Sequence, residues 1–170
     1  MHRLVFRVGV VGAFMLAGFG AEAQPGGRLD AWNSGHQMGT AWAGVASNDG
    51  GIGIRVVCGD REAAAANPAI KAGPSLQVAM SKISPPRKAS SIRLVVDQRP
   101  TDLPVAVEHV PDAVNFDWTP SRAFDARRMS RLLKELRDAR SLRLEIAGAV
   151  REVPLENVRE ALSGDIIVCR

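Results

Sequence analysis

An α+β fold is predicted: a mostly antiparallel sheet or small β-sandwich, with one long and one short helix in the C-terminal half. Three features predict it. Alternating apolar and polar runs recur between Thr40 and Trp118, separated by clusters of Gly, Asn, Asp and Pro. The period then changes, with Met129, Leu132, Leu133, Leu136 and Ala139 falling at helical spacing. The 170 residues are 46% apolar and 24% charged, which suits one globular domain with its own core and excludes a disordered chain.

The chain opens on a different pattern. Arg3 and Arg7 precede an uncharged stretch from Val8 to Gly20, and Ala21-Glu22-Ala23 follows as a small-x-small triplet. This is the three-part pattern of a secretory signal peptide, with cleavage expected after Ala23. The apolar stretch falls short of the ~20 residues that a spanning helix needs, and no later stretch approaches that length. Residues 1–23 are therefore expected to leave a periplasmic or secreted protein without stable membrane insertion. Residues 24–40, rich in Gly, Asn, Ser and Gln, are expected to form an irregular lead-in, and residues 41–170 a single globular domain.

Within that domain the strongest β signal is Ala41–Ala46 followed by Ile52–Cys58, with Ser47-Asn48-Asp49-Gly50-Gly51 between them. Two alternating runs around turn residues predict a hairpin with a longer loop. Gly59–Gly73 is expected to be a loop with one helical turn at Ala63–Ala66. Ser75–Ile83 and Ile92–Asp97 alternate and predict strands, and Ser84-Pro85-Pro86 breaks the chain between them. Asp97-Gln98-Arg99-Pro100 predicts a turn, Val105–Val110 a fifth strand at an edge or strand start because of Pro104, and Val114–Trp118 a sixth. The helical stripe that follows takes Asp125 as its N-cap, with Arg137 and Arg140 at its C-terminal end. Ser141–Ile146 predicts a strand to which Val150–Val153 pairs back, Leu155–Leu162 a short helix, and Ile166–Val168 a last strand.

Cys58 and Cys169 are the only cysteines. An even count in an exported protein favours a bridge, and two cysteines allow one intramolecular pairing. The bond would close a loop of about 110 residues, worth about 4–5 kcal/mol in the chain-entropy model. The alternative is two buried thiols; with no Cys-x-x-Cys spacing, redox chemistry is not indicated.

The order of elements carries a resemblance. A Trp-containing hairpin and a strand ending in Cys (Gly51-Ile52-Gly53-Ile54-Arg55-Val56-Val57-Cys58) lead to a strand ending in Asp (Ile92-Arg93-Leu94-Val95-Val96-Asp97). A helix with a Leu-Leu-x-x-Leu core, a strand, a short helix and a terminal Cys follow. Over most of Thr40–Cys169 this resembles small exported bacterial proteins of the invasion-associated locus B kind and accessory periplasmic proteins of type VI secretion. The resemblance implies a β-rich envelope protein without known catalysis, and it carries over Cys58 and Cys169 as a structural pair. The chain departs from it in lacking Tyr and in having few Cys.

Signals for chemistry are sparse. His36 and His109 lie in no metal-ligand spacing, and no catalytic residue, metal or cofactor is assigned. No Gly-x-Ser-x-Gly elbow or phosphate-binding loop occurs, and Asp97, Asp102, Asp112 and Asp117 sit near turns, where Asp is common for backbone reasons. Without residues 1–23, 20 basic and 17 acidic residues leave a net charge of +3, which permits anionic contacts but does not point to nucleic acid.

The basic residues crowd the main helix, where Arg127, Arg131 and Lys134 fall along one side. They form either a solvated face or a contact for an anion such as a lipid head group, a lipopolysaccharide phosphate, a cell-wall polymer or an acidic protein. Of three tryptophans, Trp42 is expected in the core. Trp32, in the lead-in, either anchors a partner or packs over a sheet edge. The expectation is thus a non-enzymatic exported protein that binds an unidentified envelope protein or an anionic envelope polymer in an accessory, structural or inhibitory role. The alternatives are a small periplasmic hydrolase of cell wall or peptide, which needs a pocket of convergent polar groups, and a small-ligand carrier, which needs an apolar cavity.

Overall fold

Alternation in the sequence becomes two antiparallel sheets. The structure, a computed structural model, describes residues 30–37, 39–46, 51–67, 70, 72–81, 90–111, 113–121, 123–146, 148–164 and 169. The expected signal peptide, the hairpin loop at 47–50 and the last strand at 166–168 lie outside them.

The larger sheet has six strands: β1 (Asn33–Gln37), β2 (Thr40–Ala46), β3 (Ile52–Gly59), β4 (Gly73–Ser81), β7 (Ala106–Val110) and β8 (Ala113–Trp118). Their order is β1-β2-β3-β4-β8-β7, and every pairing is antiparallel. The smaller sheet comprises β5 (Ser91–Val96), β6 (Arg99–Pro104), β9 (Leu142–Ile146) and β10 (Ala149–Glu152), in the order β10-β9-β5-β6, again antiparallel throughout. Helix α1 (Arg61–Ala66) follows β3, α2 (Ala123–Arg137) follows β8, and α3 (Val158–Ala161) follows β10. The fold is α+β in the broad sense, dominated by antiparallel sheet.

Register decides which residues enter the core. Opposite Ile54 of β3 stand Val45 and Val78, and Phe116 stands opposite Val78. Because strand side chains alternate in direction, this row and its neighbours two residues away (Ala43, Val56, Leu76 and Trp118) point to one face. In the smaller sheet Leu94, Leu103, Leu144 and Ile146 do the same. All are buried, and together with Met129, Leu132, Leu133 and Leu136 of α2 they form a single cluster that spans both sheets.

Cys58 at the end of β3 is bonded to Cys169 with a Cα–Cα separation of 5.4 Å. The expected disulfide therefore exists, and it fastens the C-terminal end of the described chain to the core.

Several elements differ from expectation. The lead-in is not irregular throughout: Asn33–Gln37 forms β1 and pairs with β2, Gly35 lying opposite Trp42. Asn-Ser-Gly-His-Gln carries no apolar alternation, and backbone pairing makes the strand. The turn after β5 is only Asp97-Gln98, both with positive φ (45° and 66°), so β6 already begins at Arg99. Pro100 and Pro104 are tolerated there because β6 is an edge strand, where a missing N–H breaks no ladder. Asp125 lies in the first turn of α2 rather than at its cap. Its carboxylate still opposes the positive end of the helix dipole. The last helix is shorter than expected and begins at Val158, leaving Leu155 outside it. Helix α1 is capped by Asp60, whose Oδ1 accepts from the N–H groups of Glu62 (2.8 Å) and Ala63 (3.0 Å).

Candidate functional site

The apolar stripe of α2 fixes the direction of its charged residues. Met129, Leu132, Leu133 and Leu136 are buried, so the helix is pinned on that side. At ~100° per residue, Phe124, Arg127, Arg131 and Lys134 fall within about 80° of arc on the opposite side, over roughly 15 Å of helix. All four are exposed, Phe124 to 68%. Sequence reasoning placed Arg127, Arg131 and Lys134 on one side and missed Phe124. A lone aromatic just after Pro120 gives no periodic signal, and only its exposure marks it.

The three cations differ from the other basic residues around them. Arg128 donates to the backbone carbonyl of Asp102 on β6 and lies 6.0 Å from the centroid of the Trp118 ring, so it ties α2 to both sheets. Arg137 reaches Asp138 at 3.3 Å, and Arg159 reaches the same carboxylate at 3.2 Å. On the smaller sheet, Arg93 binds Asp102 through two hydrogen bonds of 2.7 and 3.1 Å, and Arg143 binds Glu145 at 3.0 Å. That bidentate contact raises the pKa of Arg93 and lowers that of Asp102. Arg127, Arg131 and Lys134 make no ion pair among the described residues. Among the described residues, three cations without an ion-pair partner thus lie beside one exposed aromatic on this side of the helix.

The structure does not bring Trp32 to this site. Trp32 is 1% exposed, and its indole Nε1 donates to the carbonyl of Pro154 at 2.8 Å. Its backbone N–H donates to the carbonyl of Glu156 at 2.8 Å. Trp32 is therefore a clasp between the start of the fold and the segment before α3, and the expectation that it contacts a partner is corrected. Trp42, expected in the core, is only half-buried and lies on the outer face of the six-stranded sheet, beneath the Arg55 guanidinium at 4.8 Å.

The other candidates for chemistry are dispersed. His36 and His109 are exposed on β1 and β7, the two edges of the larger sheet. Asp102 is engaged with Arg93, Asp117 lies on β8 and Asp112 lies outside the described residues. Asp97 lines a shallow depression with Gln98, Asp138, Arg140 and Ser141. Its Oδ1 accepts from the N–H groups of Arg140 and Ser141, each at 2.9 Å, and these bonds hold the carboxyl below its ordinary pKa. Those contacts give Asp97 a structural task, joining the β5–β6 turn to the start of β9. Among the described residues no group of three or more His, Cys, Asp or Glu is placed to hold a metal ion, and no helix is long and apolar enough to cross a membrane.

Fold and surface together define a disulfide-closed protein of two antiparallel sheets that presents a cationic helix face. Residues 30–162 match the model of the YfjT family, and the chain belongs to that family. No curated protein and no solved structure matches it.

Proposed function

We propose that this protein is an exported, non-enzymatic envelope component that binds an acidic protein partner through the outer face of α2. The observation that carries the reading is the exposed set Phe124, Arg127, Arg131 and Lys134 on a helix whose other side is locked into the core. Aromatic and Arg side chains are the types most enriched in protein interfaces, and Arg matches a carboxylate in bidentate geometry. A single aromatic on a helix that cannot turn its Leu residues outward offers little apolar area to a bilayer, which favours a protein over a lipid surface. The reading takes residues 1–23 as an export signal, and a disulfide is the chemistry expected of an oxidising compartment. We also read the two sheets as a small β-sandwich, with Ala123–Arg137 as its long C-terminal helix and Val158–Ala161 as its short one. The likeness to invasion-associated locus B and type VI accessory proteins is part of this proposal and rests on element order.

Site-specific photo-crosslinking in the intact envelope tests it. A crosslinker at Phe124 is expected to capture one protein, and the adduct should disappear at high salt. The R127E/R131E double variant should lower the yield at least about tenfold, because reversed charge slows encounter and leaves the partner's carboxylates unpaired. A crosslinker at exposed Glu108, on the edge strand β7, should not capture the same protein. Equal capture from Phe124 and Glu108, or capture unchanged by charge reversal, overturns the reading.

A further inference from the structure

The exposed side of α2 carries a spacing as well as a charge. Phe124, Arg127, Arg131 and Lys134 stand three, four and three residues apart, the spacing of the a and d positions of a heptad. Residues so spaced drift only about 20° per heptad around a straight helix, so they form one narrow stripe along α2 rather than a patch. All four are exposed. Along one flank lie Arg128, held by the Asp102 carbonyl, and half-buried Glu135. Asp125 points about 100° or more away from the stripe, and Asp138, just past the helix end, is engaged by Arg137 and Arg159. Glu135 is therefore outnumbered by three cations that have no ion-pair partner among the described residues.

Two properties of the stripe decide the form of its partner. The backbone N–H and C=O groups along the middle of a helix are bonded to each other, so the side of α2 offers a ligand side chains only. An extended segment laid along it would bury backbone groups that nothing there can pair, each at the cost of a lost hydrogen bond. A helix arrives with its backbone already satisfied. The second property is pitch. The cations rise by about 6 and 4.5 Å along α2, as acids four and three residues apart do on a partner helix, whereas side chains on one face of a strand recur about every 7 Å.

We infer that the partner segment is an acidic amphipathic helix that packs lengthwise along α2. Its Asp and Glu, at heptad spacing, meet Arg127, Arg131 and Lys134, and an apolar side chain covers Phe124. Stripes of this period bring two helices together at a shallow crossing of about 20°. The inference rests on the reading that α2 binds an acidic protein, and adds the form and register of the bound segment.

The test places photo-crosslinkers at Phe124 and, separately, at Lys134 of the full chain in the intact envelope, and locates the captured partner residues by mass spectrometry. Adducts about 10 residues apart in one segment are expected of a helix, against about 5 residues in an extended segment. R131E should lower the Phe124 yield at least about threefold, and changing the partner acid about 7 residues from the Phe124 adduct to Arg should restore it. The same change at an acid out of that phase should not. Adducts about 5 residues apart, adducts on two unconnected segments, or restoration absent or out of phase overturn the helix and leave the acidic-protein reading standing. Capture unchanged by R127E/R131E, or no protein adduct at all, as a lipid or polymer ligand would give, overturns that reading and this inference with it.

Discussion

Asp97 shows how one side chain fastens two elements. Its carboxylate receives two backbone N–H groups from the segment after α2, and its own backbone N–H donates to the carbonyl of Ser141 at 3.1 Å. The N–H of Arg140 is the largest cause of its lowered pKa, followed by that of Ser141. The folded value lies below the unfolded value of about 4, so this contribution is fully present above pH 4 and fades as the pH falls through the folded value. Asp102, lowered mainly by its hydrogen bond from Arg93, acts in the same acid window. D97N should therefore show a shallower fall of melting temperature with pH below 4 than the unaltered protein, retaining only the part due to other carboxylates such as Asp102. Identical slopes would show that the Asp97 contacts do not persist in solution.

At the scale of elements, the close approach of β2 and β3 is set by Gly44. A Cβ there would lie 2.6 Å from the Ile54 carbonyl oxygen and 3.2 Å from the Arg55 Cα, both backbone atoms that cannot swing away. Gly53, in the same pair of strands, has only the Val45 carbonyl oxygen near, at 3.9 Å. G44A should cost about 1–3 kcal/mol by forcing the strands apart, whereas G53A should stay within about 0.5 kcal/mol of neutral. Chemical denaturation of both variants checks the contrast, and equal effects would remove the steric argument. The same elements show what the sequence made legible. The core strands β3, β4, β5, β8 and β9 were readable because one buried face imposes period two, and α2 because its buried side imposes period 3.6. Strands β1 and β6 were not, since β1 has no apolar side chain and β6 has a single buried one, Leu103, so neither carries an alternation to read. For the same reason the α2 cations were legible as a periodic row, while Phe124 was not. The Trp42–Arg55 stack depends on cross-strand register, which spacing along the chain does not contain.

At the scale of the molecule, both ends of the described chain are tied into one core by different means. Near the start, Trp32 reaches the carbonyl of Pro154, and Ala31 bridges to Glu156. At the other end, the bond between Cys58 and Cys169 spans 111 residues of sequence. A cross-link of that span removes much of the freedom of the unfolded chain, about 4–5 kcal/mol in the entropy model. It acts on the unfolded state, whereas the Trp32 clasp acts on the folded one, so their contributions should nearly add. The C58A/C169A variant should melt roughly 10–15 °C lower, at about 2–4 °C per kcal/mol for a domain of this size. Strong reductant should reproduce the loss in the unaltered protein and leave the variant unchanged. W32F, which replaces the buried indole by a smaller phenyl ring and deletes the Nε1 donor, should cost about 2–4 kcal/mol by leaving a cavity and an unpaired Pro154 carbonyl. That cost should be nearly the same with and without the disulfide. A much larger W32F effect in the reduced protein would instead mean that bond and clasp hold one local structure in common, with the bond acting on the native state. Reductant that leaves the melting temperature unmoved would take the bond out of the stability of the fold altogether.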